Sequence, residues 1–144
     1  MKHNRLITFI FFIIYSLSIN AQAPRLYTSS NGLANSQINN ICQDNKGFIW
    51  ISTENGLSRF DGTDFTTFRH DRNKQTSIAS NLVQTVFEDS SGNYWIGTSA
   101  GLEKFETEYN TFTHIDLQDP EIKESDQHIS SITEVTIQGN RRII

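Results

Sequence analysis

Two short stretches bring a carboxylate, a glycine and an indole together at one spacing: Asp44-x-x-Gly47-x-x-Trp50 and Asp89-x-x-Gly92-x-x-Trp95. An Asp three residues before a Gly can do acid–base work, or it can cap its own turn by accepting backbone N–H groups. Hydrolysis of a glycosidic bond needs two carboxyl groups, or an equivalent nucleophile, around one sugar, and nothing here singles out such a pair. His70 and His114 each follow a phenylalanine (Phe68, Phe112) by two residues, and a group that recurs with a repeat reads as scaffold before catalyst. His128 lies beside an acidic stretch, and no His/Asp/Glu set has metal-ligand spacing. Asp116, Asp119, Glu121, Glu124 and Asp126 crowd around Lys123 but lack the alternating oxygen donors and central glycine of a calcium loop. A phosphate-binding glycine loop, a G-x-S-x-G elbow and kinase motifs are all missing from these 144 residues. The expectation is no catalytic residue, no metal ligand and no cofactor, with ligand-binding residues unassigned.

The two stretches are parts of a repeat. At a constant shift of 45 residues, Asp44, Gly47, Trp50, Ile51, Thr53, Gly56, Leu57 and Phe60 fall on Asp89, Gly92, Trp95, Ile96, Thr98, Gly101, Leu102 and Phe105. These are eight identities in 17 positions, where unrelated segments would give about one. Upstream, Ile38 and Ile41 align with Val83 and Val86; downstream, Phe65, Phe68 and His70 align with Tyr109, Phe112 and His114 after a one-residue slip. A unit of this length is a whole supersecondary element, of propeller-blade size.

Tight turns divide each unit into four short strands, in the first copy Ile38–Gln43, Phe48–Thr53, Leu57–Asp61 and Phe65–His70. Asp44–Gly47 has turn chemistry, and Asn55–Gly56 is a strong hairpin signal. Phe48–Ile51 is apolar without alternation, which fits a strand buried on both faces by stacked sheets. Radially stacked blades supply that setting, and a meander barrel does so in part. A third copy begins with Ile129 and Ile132 and then loses the pattern, with Arg142 where Trp95 stands in the second. The fold expected is all-β: a partial β-propeller of about two four-stranded antiparallel blades plus an incomplete third, after a signal peptide. The corresponding boundaries are 1–21 for the signal peptide, 22–37 for a lead-in, 38–82 and 83–128 for the two blade-like repeats, and 129–144 for a truncated third.

Export follows from the start of the chain. Lys2 and Arg5 precede an apolar run, Leu6–Ile19, and then Asn-Ala-Gln-Ala, the layout of a secretory signal. Cleavage after Ala21 is preferred to cleavage after Ala23, which would leave Pro24 beside the cut. Without Lys2 and Arg5, 10 basic residues face 16 acidic ones, a net charge of −6 that argues against nucleic acid as a partner. Cys42, the single cysteine, has no internal disulfide partner and reads as a small buried hydrophobe. The aromatics Phe48, Trp50, Phe60, Tyr94 and Trp95 could stack on sugars, but in repeating strands packing between blades is the simpler role.

Asp-x-x-Gly-x-x-Trp resembles the aspartate box of sialidases with one extra residue in the turn; those boxes are structural turns in propeller blades. A fuller likeness lies in GLANSQINNICQDNKGFIWISTENGLSRFDG (Gly32–Gly62) and VQTVFEDSSGNYWIGTSAGLEKF (Val83–Phe105), with Trp-Ile-Gly-Thr complete at Trp95–Thr98 and Ser52 replacing its glycine in the first copy. Both resemble the two-component regulator propeller repeat, well over about residues 32–115 and poorly over 129–144. The resemblance implies the periplasmic sensor region of a hybrid histidine kinase. In such proteins an exported start and propellers are followed by an immunoglobulin-like domain, a membrane span, a kinase and a receiver. It implies a carbohydrate ligand for the full-length sensor, control of transcription through its other domains, and no enzymatic activity in this segment. Partners would be the missing blades or further copies of the chain, because one blade cannot bury its own faces. Two rival readings are a stand-alone exported interaction protein that self-associates and a fragment of a propeller hydrolase.

Overall fold

The computed structural model describes residues 23–117 and 127–144. The expected signal segment and four of the five clustered acidic residues, Asp119, Glu121, Glu124 and Asp126, lie outside these. A 3-10 turn at Ser29–Asn31 precedes ten strands. The first sheet contains β1 (Ile38–Gln43), β2 (Ile49–Thr53), β3 (Gly56–Phe60) and β4 (Phe65–Phe68), hydrogen-bonded in that order and antiparallel throughout. The second repeats it with β5 (Val83–Glu88), β6 (Tyr94–Thr98), β7 (Gly101–Glu106) and β8 (Thr111–Ile115). Both sheets carry the same irregularity in the first strand, between Ile38 and Asn40 and between Val83 and Thr85. The repeat thus extends to a bulge that no identical residue marks.

The core is the seam between the sheets. Successive side chains of a strand point to opposite faces, so one face of the first sheet carries Trp50, Leu57 and Phe68, while one face of the second carries Val86, Tyr94, Ile96, Phe105 and Phe112. Their rings interlock: Trp50 lies 5.3 Å from Tyr94 and 5.2 Å from Phe105, centroid to centroid, and Phe68 lies 5.2 Å from Phe105 and 5.5 Å from Phe112. Such tilted and edge-on pairs contribute about 0.5–1.5 kcal/mol each beyond the area they bury. Arg59 lays its guanidinium over Phe48 and Trp50, 5.0 and 5.5 Å from the ring centres.

Burial departs from the expectation for Phe48–Ile51. Trp50 is buried, but Phe48, Ile49 and Ile51 are only half-buried, because the second sheet covers one face of the first. Tyr27 covers part of the other by packing on Phe60 and Phe65. Cys42 is likewise half-buried at the margin of the core. Burial and the nearby carboxylates of Glu88 and Asp44 raise its pKa.

The fourth strands correct the alignment. Phe65 pairs with Phe60, while Phe112, not Tyr109, pairs with Phe105. His114 sits opposite Glu103 where Thr67 sits opposite Ser58, so His70 and His114 are not equivalent. The cause is a longer connection: the second copy extends its ladder by the pair Glu106–Thr111 and turns through 107–110, with Asn110 at φ 52°. An insertion, not a deletion, separates the two copies there.

The third repeat goes further than its sequence promised. Glu134–Ile137 (β9) and Asn140–Ile143 (β10) form an antiparallel hairpin. Its two turn residues, Gln138 and Gly139, both take positive φ, 50° and 83°, as a type I′ turn requires. β10 occupies the place of the core strand β6, but its residues are mostly exposed.

Candidate functional site

The first of two polar centres is the aspartate turn. Asp44 Oδ1 accepts the backbone N–H groups of Lys46 and Phe48, both at 2.9 Å. Its Oδ2 accepts the Trp50 indole N–H at 2.8 Å and, from the next blade, the Tyr94 hydroxyl at 2.9 Å. Burial alone would raise the Asp44 pKa, but these four hydrogen bonds outweigh it and hold the carboxyl below its usual range. Tyr94 responds oppositely: burial and the Asp44 carboxylate push its phenol upward.

Asp89 builds the same turn by other means. Oδ1 accepts from Ser91 N and Asn93 N at 2.9 Å, and Oδ2 from Trp95 Nε1 at 2.8 Å and Asn93 Nδ2 at 2.9 Å. Burial again pulls its pKa up, and the bonds from Trp95, Asn93 and Ser91 pull it lower. A carboxylate committed to four donors is a fastener and has little capacity left for proton transfer. Asp-x-x-Gly-x-x-Trp therefore works here as a turn whose carboxylate reaches the strand's own indole.

The remaining motif residues complete that framework. Thr53 Oγ1 donates to Gly56 O and accepts from Asn55 N; Thr98 does the same with Gly101 O and Ala100 N. Gly56 has φ 119° and Gly101 φ 124°. A Cβ on Gly56 would stand 2.7 Å from Phe68 O, so the close approach of β4 requires the glycine as much as the backbone angle does. Leu57, Leu102 and Phe105 are buried, while Phe60 and Ile51 line the half-covered outer face.

Bonds between blades carry a second repeated pattern. Glu88 Oε2 accepts from Asn45 N at 2.7 Å, and Glu134 Oε2 accepts from Ser90 N at 3.0 Å. In each case a glutamate from the first strand of one unit holds the aspartate turn of the unit before it.

The second centre is a cleft of about 250 Å³ beside the linker between the blades, with His70, Arg72, Lys74, Glu103, Phe112 and His114 in its walls. His70 Nδ1 lies 2.9 Å from Ile78 O, and its backbone N–H reaches Asn81 Oδ1 at 2.8 Å. Glu103 is 1% exposed, and its Oε1 accepts the Ala79 N–H at 2.7 Å. Burial raises its pKa to about 7 against the opposing pull of that N–H and of His70. The two histidines so far apart in sequence meet at this cleft, whereas exposed His128 does not line it. Among the described residues, no three His, Cys, Asp or Glu side chains are grouped to hold a metal ion. No described helix is long and apolar enough to cross a membrane.

Known proteins share these features. Residues 32–55 and 77–100 match the two-component regulator propeller family. Histidine kinase P4 of Formosa agariphila is 34% identical over 83 residues, which are 55% of this chain and 6% of that protein. The extracellular domain of the hybrid two-component system BT3049 from B. thetaiotaomicron superposes with a TM-score of 0.66 and 31% identity, over 80% of this chain and 16% of that one. The extracellular domain of BT4673 from the same organism, at TM-score 0.54 and 24% identity over 67% and 14% of the two chains, shares the fold. The chain therefore spans a small part of each of these relatives. Its two sheets are two-component regulator propeller repeats, and the chain belongs to that repeat family.

Proposed function

We propose that this chain is part of the exported sensor propeller of a hybrid two-component system. The observation that carries the reading is the 31% identity and 0.66 TM-score to an extracellular domain of such a system across 80% of the chain. In this reading the segment does no chemistry. Its aspartates are tied into turns, and its part is to present loops and a seam that respond to a periplasmic ligand. The ligand proposed is a carbohydrate, taken up by the full-length sensor and reported across the membrane to a kinase that controls transcription. Reading the coding DNA beyond the codon for Ile144 tests the first part: further repeats, a membrane span and a kinase are expected, and unrelated sequence after a stop would refute it. Calorimetric titration of the whole extracellular region with oligosaccharides tests the second. Failure of every sugar to bind would remove the carbohydrate and leave the sensor.

One observation favours a second reading. Ile38 and Ile41 are 45% and 59% exposed on β1, at positions where β5 buries Val83 and Val86. A stand-alone chain would cover this surface with another copy of itself. Light scattering on the mature chain separates the two: a discrete ring of subunits supports self-association, and a monomer does not.

A further inference from the structure

The segments that lead into the two blades, residues 32–34 and 77–79, are pinned at equivalent places by different chemistry. Ala34 N–H donates to Ser58 Oγ at 2.9 Å, and Ala79 N–H donates to Glu103 Oε1 at 2.7 Å. The shift of 45 residues carries Ala34 onto Ala79 and Ser58 onto Glu103. Both acceptors are buried, at 0% and 1% exposure. The hydroxyl of Ser58 has no charge to gain or lose over the physiological range. The carboxyl of Glu103 does, and among the described residues no ion pair meets it.

We propose that Glu103 is a proton-responsive fastener, closing the 69–80 linker onto the second blade when neutral and loosening it when ionised. The packing supports this. Below it, Ile96 on β6 is fully buried and offers no charge; beside it, β8 presents Phe112 and His114; over it lies the linker with fully buried Ile78 and with His70, Asp71, Arg72 and Lys74 around the cleft. A neutral carboxyl keeps its bond to Ala79 in this apolar setting. An ionised one needs water or a cation, because a lone buried carboxylate is costly without a partner. The cleft is where both can reach it, with His70, His114, Arg72 and Lys74 at hand.

The sign follows from the direction of the shift. Burial raises the Glu103 pKa to about 7, so the folded state holds the proton more tightly than the unfolded chain. The contribution to stability is complete below the unfolded value of about 4.3 and is lost as pH rises through about 7. Protonated His70 opposes this by favouring the ionised carboxyl, so the opening steepens once His70 is neutral.

The test follows amide protection in the intact chain, corrected for intrinsic exchange. Between pH 5.5 and 8 the protection of Ala79 should fall roughly tenfold or more, while that of Ala34 stays level. In Glu103→Gln the fall should disappear, and in Ser58→Glu it should appear at Ala34. Should either variant fail to fold, carbon NMR of the glutamate carboxyls in the unaltered chain decides: Glu103 must titrate near neutrality together with the Ala79 amide. A Glu103 carboxyl that titrates below pH 5, or a fall in Ala79 protection that persists in Glu103→Gln, overturns the proposal.

Discussion

The two blades carry the same motif and are built with unequal security. Each has an aspartate turn with four donors, a Thr–Gly hairpin and a bulged first strand. Yet Asp44 is held partly by Tyr94 of the next blade, while Asp89 is held by its own blade alone. Trp50 is buried and Trp95 half-buried, because the full second sheet lies on Trp50 and only the short third repeat follows Trp95. Conversely, β5 is buried where β1 is exposed, since β5 packs against β1 and β2 and nothing described packs on the far side of β1. A motif fixes the turn; the neighbour fixes the burial.

The largest effects should come from the shared tryptophan. Trp50→Ala should cost about 3–5 kcal/mol, as deletion of a buried aromatic does, and Trp95→Ala distinctly less, by chemical unfolding. Equal losses would mean that the third repeat covers Trp95 as fully as the second blade covers Trp50. Next come the glycines. Gly56→Ala, with positive φ and a carbonyl 2.7 Å from the new Cβ, should cost roughly 2–3 kcal/mol. Gly47→Ala has positive φ but open space, so roughly 1 kcal/mol is expected, read from the same unfolding curves.

The aspartates sharpen the comparison through pH. Both have depressed folded pKa values, so their stabilisation is complete above the unfolded value of about 3.9 and fades as pH falls through the lower folded value. Asp44→Asn should flatten this acid limb in thermal scans, and Asp89→Asn should flatten it too. Only the first should also loosen the seam, seen as faster exchange of the tyrosine ring environment around Tyr94. The smallest effect is Tyr94→Phe, at about 1 kcal/mol for one hydrogen bond to a partly buried carboxylate. That loss should vanish in an Asp44→Ala background, and a loss that persists would assign Tyr94 to packing alone.

Much of the fold was legible because local chemistry dictates it. Asp44–Gly47 and Asn55–Gly56 announce their turns, and the strand limits fall within two residues of the expected ones. The seam was not legible. Glu88 falls on Gln43, Tyr94 on Ile49 and Glu103 on Ser58, so the residues that join or tune the blades are those in which the copies differ. A search for identities passes over them. The meeting of His70 and His114 was hidden for another reason: their matching sequence neighbourhoods conceal a two-residue insertion that only the strand ladder reveals.

The bonds from Glu88 to Asn45, Tyr94 to Asp44 and Glu134 to Ser90 all run the same way, from a later unit back to the turn of an earlier one. During synthesis that direction becomes a timetable. The first blade can leave the ribosome with its hairpins made, but Asp44 waits for Tyr94 until some 50 more residues have emerged, several seconds at about 5–20 residues per second. Each unit is thus finished by its successor, and a pause in translation anywhere along the array leaves its latest turn unlatched.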